Sequence, residues 1–91
     1  MQLFEAQRTQ IQQLGRKAGS ALRVHEALKA RPVHQLQDVA QSTGLTFPTA
    51  AKGMQLLIDL KIAREVTGKR RNRVFAYDSY LNVLNEGTEN L

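Results

Sequence analysis

Cysteine and tryptophan are absent from the 91 residues, proline occurs twice, and aromatic side chains make up only 5% of the chain. Without cysteine there is no disulfide framework, no thiolate zinc site and no thiol nucleophile. With so few aromatics there is no stacking platform of the kind that holds single-stranded nucleic acid. No apolar run approaches the ~18 residues needed to span a bilayer. The opening MQLFEAQRTQ lacks the apolar stretch of a secretory signal. The expected location is the cytoplasm, with no membrane span. Acidic residues are in short supply: eight Asp and Glu against thirteen Lys and Arg leave +5. On so small a surface that excess favours polyanions, nucleic acid first and an anionic membrane second.

Catalytic signatures are missing too. The six glycines are scattered and cradle no phosphate. There is no nucleophile elbow and no pair of carboxylates at a useful spacing. Glu65 stands alone in a strand-like stretch, and Glu86 and Glu89 lie near the tail. The chain is therefore expected not to be an enzyme and to need no cofactor. His25 falls on the inner stripe of a helical pattern beside Leu22 and Leu28, the setting of a partly buried, hydrogen-bonded imidazole. His34 precedes a helix and reads as a local cap or a solvated side chain. A metal site would need two further ligands beside them, and the pattern supplies none.

What is present is a folded composition, 42% apolar and 23% charged. The length fits one domain, or one domain and a short arm, with a modest core. Residues 2–14 carry Phe4, Ile11 and Leu14 on a helical stripe that continues to Ala18. Gly15 interrupts without necessarily ending the helix, since an internal glycine costs only ~1 kcal/mol. Residues 16–30 form a second helix with Ala18, Ala21, Leu22, His25 and Leu28 inward and Ser20 as a candidate cap. Pro32 stops it and pushes Arg31 to an extended conformation. Val33 and His34 form a short extended link. A third helix covers 35–43, with Leu36, Val39 and Ala40 inward and Gly44 as the left-handed residue after its end.

Thr46 caps a fourth helix, Pro48 sits in its first turn, and it runs to about Leu60. Ala50, Met54, Leu57 and Leu60 share its inner side; Pro48, Lys52, Gln55 and Asp59 lie opposite. Strands at 62–67 and 73–77 flank GKRRN as a hairpin. Asp78 caps a short last helix that Gly87 ends. The organisation that follows is an arm at 1–15, a domain at 16–87 and a frayed tail at 88–91.

The segment LQDVAQSTGLTFPTAAKGMQLL carries the decisive pattern. Two short helices crossing at an angle need a small residue at the crossing, here Ala40. They need a positive-φ residue at the turn, here Gly44. They also need an inward stripe on the second helix, here Ala50 and Met54 after Leu45. Followed by a basic hairpin, this is a winged helix-turn-helix: mostly α with a small antiparallel β-hairpin. The second helix of such a unit offers its outer side to the major groove of double-stranded DNA. That side is Thr46, Pro48, Thr49, Lys52 and Gln55, of which Thr, Gln and Lys can meet base edges or phosphates. The wing adds Lys69, Arg70, Arg71 and Arg73 with no acid among them, suited to phosphates or a narrow minor groove.

Two features leave alternatives open. Gly53 either weakens the fourth helix or marks a close backbone approach. Phe4, Ile11, Leu56 and Ile58 form surplus apolar surface: they either close the core against the last helix or serve a homodimer or a docked domain.

The chain resembles the C-terminal winged-helix domain of bacterial Fic-family proteins. The resemblance is carried by LFEAQR, GSALRVHEAL, TGLTFPTAAKGMQLL and, most specifically, the wing and last helix TGKRRNRVFAYDSYLNVLNEGTE. It implies a non-catalytic C-terminal fragment whose parent carries an upstream Fic domain, many of which transfer AMP from ATP to a protein hydroxyl. The signature of that chemistry, His-Pro-Phe followed by Gly-Asn-Gly-Arg, is not in this sequence. The leading expectation is binding of double-stranded DNA, which in the intact protein would couple target modification to transcription or autoregulate the operon. The alternative is a protein-interaction module that recruits targets to the Fic domain in cis, or regulates it.

Overall fold

The computed structural model describes residues 2–68 and 72–89, with the backbone alone for 86–89. Helix α1 spans Gln2–Gln12, α2 Ala18–Ala30, α3 Leu36–Thr43, α4 Phe47–Asp59 and α5 Asp78–Glu89. Strands β1 (Val33–Gln35), β2 (Arg64–Glu65) and β3 (Val74–Ala76) form an antiparallel sheet in the order β1-β3-β2. This is the winged helix-turn-helix architecture, mostly α with a small sheet. No helix among the described residues is long and apolar enough to cross a membrane.

The turn of the motif forms as its glycine requires. Gly44 closes α3 at φ 73°, a conformation that costs a β-carbon-bearing residue strain. Thr46 is extended, and its Oγ1 accepts the Thr49 N–H at 3.4 Å, satisfying one of the open donors at the start of α4. α4 then packs across both α2 and α3. Val24, Leu28, Val39, Ala50, Met54 and Leu57 are buried where the three helices meet. Each large apolar side chain removed from water there contributes roughly 1.5–3 kcal/mol.

Gly53 sits at the tightest point. A β-carbon there would lie 3.0 Å from the Ser20 backbone carbon and oxygen and from Val24 Cγ2. The helix continues through it without a break. Of its two readings, close approach is the one the structure bears out.

Other expectations need correction. Gly15 takes φ 70° and does end the first helix, giving way to a 3-10 turn at Gly15–Lys17; Ser20 therefore lies inside α2 and caps nothing. The sheet has a third strand, because Val33–Gln35 pairs with β3 rather than acting as a link. β2 is shorter than residues 62–67: Ile62 and Ala63 give their N–H groups to the Leu57 carbonyl at 2.9 and 3.2 Å, closing off α4. Asp78 is the first residue of α5, and its carboxylate accepts from Arg64 Nε at 3.1 Å. Gly87 does not end α5, which runs on through Glu89.

His34 is neither a cap nor solvated. It is 5% exposed, and its Nε2 donates to the Ala27 carbonyl at 3.0 Å, tying β1 to α2. β-strand alternation turns it inward between exposed Val33 and Gln35.

The surplus apolar residues close the core. Ile11 is 0% exposed and belongs to the same cluster as the helix-turn-helix, so it has no surface to offer a second copy. Phe4 stacks on Tyr77 at 6.0 Å and leans on Tyr80 at 5.5 Å. Leu56 and Ile58 are half-buried against the core.

Under this aromatic group lies a buried polar chain. The His25 Nε2–H points to Tyr77 Oη at 2.8 Å, Tyr77 donates to Gln7 Oε1, and Gln7 Nε2 donates to Ser79 Oγ at 2.6 Å. Three helices and the end of β3 are joined this way. Burial, reinforced by Lys29, pulls the His25 pKa down from 6.5 to about 4. Burial pushes the Tyr77 hydroxyl above its ordinary value. The partly buried, bonded imidazole expected at position 25 is thus found, with fuller burial.

Candidate nucleic-acid interface

With Ala50, Gly53, Met54 and Leu57 turned to the core, helical geometry turns the other side of α4 to solvent. Thr46, Pro48, Thr49, Lys52 and Gln55 are all exposed there. The structure therefore brings together on one surface the five helix residues expected from sequence. Two of the polar groupings are locally engaged. Thr46 Oγ1 donates to Thr49 Oγ1 at 2.9 Å, and Gln55 Nε2 donates to Asp59 Oδ1 at 3.0 Å, one turn along. Lys52 forms no ion pair among the described residues.

Phe47 is the residue that sequence inspection passed over. It opens α4 with 54% of its surface exposed. Periodicity gave no signal for this, because its spacing of three from Ala50 and seven from Met54 puts it in register with the inward stripe; its place in the first turn, ahead of the packed part of the helix, is what leaves it uncovered.

The hairpin is held by backbone and side-chain bonds together. Val66 donates to the Val74 carbonyl at 2.8 Å, and Thr67 Oγ1 accepts the Val74 N–H at 3.3 Å. Gly68 and Asn72 both take left-handed φ, 64° and 55°, on either side of the loop. Lys69, Arg70 and Arg71 lie outside the described residues.

Arg73 is placed differently from a free wing cation. Its Nε and Nη2 donate to Glu65 Oε1 at 3.1 and 2.7 Å, and its guanidinium lies 5.0 Å from the Phe75 ring centre. The register explains this. Glu65 faces Phe75 across the ladder, and Arg73, two residues before Phe75, is its diagonal neighbour. Thr67 Oγ1 donates to the other carboxylate oxygen at 3.3 Å. The bonds from Arg73, with smaller help from Thr67, hold the Glu65 carboxyl below its ordinary range, and Glu65 in turn raises Arg73. Glu65 is thus not alone, and Arg73 is partly committed within the hairpin. No acid occurs in the loop sequence itself; the acid that meets Arg73 comes from the opposite strand.

Elsewhere, an open groove between α2 and α3 is lined by Arg23 and Arg31 but also by Glu26 and Asp38. Its mixed signs give it no preference for an anion.

No family model, no curated protein and no solved structure matches this chain.

Proposed function

We propose that this domain binds double-stranded DNA, with α4 entering the major groove and the basic loop following the phosphate backbone. The observation that carries the reading is the outer side of α4: five groove-compatible side chains exposed on one helix, backed by a packed three-helix core. The net charge of +5 supports it, as do the three cations at positions 69–71 of the loop. On the resemblance to Fic-family C-terminal domains, the domain would not be catalytic. It would couple modification of a protein target by a Fic domain in cis to transcription, or regulate its own operon.

The test is fluorescence anisotropy of the 91-residue protein with labelled duplexes across a salt series. Affinity is expected to fall by about 0.9 log units per log unit of salt for each phosphate neutralised. Lys52→Ala and a combined Lys69→Ala, Arg70→Ala, Arg71→Ala variant should each weaken binding, and the combined variant should flatten the slope. Binding that ignores salt and survives these substitutions overturns the reading.

A second reading is a protein-docking module. Val33, Val66 and Val83, exposed on β1, after β2 and on α5, favour it. Sedimentation of the protein over a concentration series tests self-association, and a constant monomer mass counts against the dimeric form of that reading.

A further inference from the structure

We propose that Phe47 reads the 5-methyl group of thymine in the duplex, which makes it a specificity-determining residue of α4. This rests on the DNA-binding reading above.

The head of α4 is chemically unusual for a groove-entering helix. An uncapped helix start presents backbone N–H groups that favour phosphate. Here Pro48 has no N–H, and the Thr49 N–H is taken by Thr46 Oγ1. The Ala50 N–H bonds back to the Thr46 carbonyl at 2.9 Å. The Thr46 hydroxyl at this end is also engaged, donating to Thr49 Oγ1. Beside the Phe47 N–H and the Thr49 hydroxyl, what remains outward at the tip is apolar: the Phe47 ring, more than half exposed, and the Pro48 ring beside it. One turn on, Ala51 is small and half-buried, which leaves room beside Phe47 for another surface to approach.

The floor of the major groove has one apolar feature, the thymine methyl, and contact with Phe is among the ways proteins meet it. Helix-turn-helix proteins place the N-terminal residues of this helix against the bases. Set against a G·C pair, an exposed ring would desolvate donors and acceptors without replacing their bonds, which is unfavourable. Set against a methyl, it buries apolar surface on both sides. Exposed Lys52, five residues further along on the outer side of α4, and the surplus of positive charge fit a duplex as the occupant of this end better than they fit an apolar protein surface.

The experiment begins with selection of duplexes from a randomised library by the 91-residue protein. The selected duplex is then remade with uracil in place of thymine at one position at a time, which removes a single methyl each time. At one or two positions the wild-type protein should lose about three- to fivefold in affinity, the worth of one buried methyl. Phe47→Ala should bind thymine and uracil duplexes equally, with an unchanged salt slope, and Phe47→Leu should keep part of the difference. The wild-type comparison needs no variant, so a Phe47→Ala protein that failed to fold would not blunt the test. Equal wild-type affinity at every position overturns the proposal while leaving DNA binding intact, as does discrimination that Phe47→Ala retains. Failure to bind any duplex overturns both this proposal and the DNA reading.

Discussion

Gly53 of α4 lies directly against Ser20 of α2, so close that a β-carbon on it would stand 3.0 Å from the Ser20 carbonyl oxygen. Glycine at mid-helix ordinarily costs about 1 kcal/mol relative to alanine. Here the contact sets how near the two helices come, and so how the outer side of α4 is aimed. Gly53→Ala is expected to destabilise the fold by about 1 kcal/mol net, because two of the three obstructing atoms are backbone and the third is on the stiff, buried Val24 side chain, so the overpacking cost of roughly 1–3 kcal/mol exceeds the gain in helix propensity. Chemical denaturation measures it. A variant more stable than the wild type would show that the helices can separate freely.

Gln7 joins α1 to Tyr77 and Ser79 from a position only 6% exposed. Gln7→Leu should cost on the order of 1–3 kcal/mol, since it leaves the Tyr77 hydroxyl buried with one partner fewer. Gln7→Leu combined with Tyr77→Phe should recover part of that loss. A double-mutant cycle on unfolding free energies reads the coupling.

Acid should weaken the fold through His25. The unfolded imidazole takes up its proton near 6.5 and the folded one only near 4. Between those values the unfolded chain binds more protons, so stability is full above pH 6.5 and falls as the pH drops toward 4, by about 3 kcal/mol in all. Glu26, whose bond from Lys29 depresses its pKa, and Glu65, depressed by Arg73, begin to contribute only below about 4.5. The upper part of the window therefore reports on the histidine. Thermal melts from pH 7 to 4.5 measure the slope, and His25→Gln should flatten it.

Freeing Arg73 should strengthen DNA binding if the wing tracks phosphate. Glu65→Gln removes the carboxylate that engages the guanidinium and deletes a negative charge from the hairpin. Affinity for a duplex at low salt should rise severalfold, and the salt slope should steepen toward one further phosphate contact. An unchanged affinity would indicate that Arg73 serves the hairpin alone, through Glu65 and Phe75.

α3 and α4 were readable because they are marked locally. Thr46, Pro48 and the spacing of Ala50, Met54 and Leu57 define α4 without reference to the rest of the chain, and Gly44 defines the turn before it. The strands were harder. Ile62 and Ala63 have strand-like side chains, yet their N–H groups go to Leu57. β1 is three residues long and exists only because Val74–Ala76 lies beside it. Neither fact has a local signal.

Sequence alone determined which surface of α4 is polar, where the motif turns and that the loop at 68–72 is basic, because periodicity, capping and composition are properties of neighbouring residues. Tertiary structure decided that Ile11 and His34 are buried, that Gly53 is a contact point, and that Arg73 belongs partly to Glu65. Those outcomes depend on which distant segment arrives opposite a residue, and packing settles that only once the chain has closed on itself.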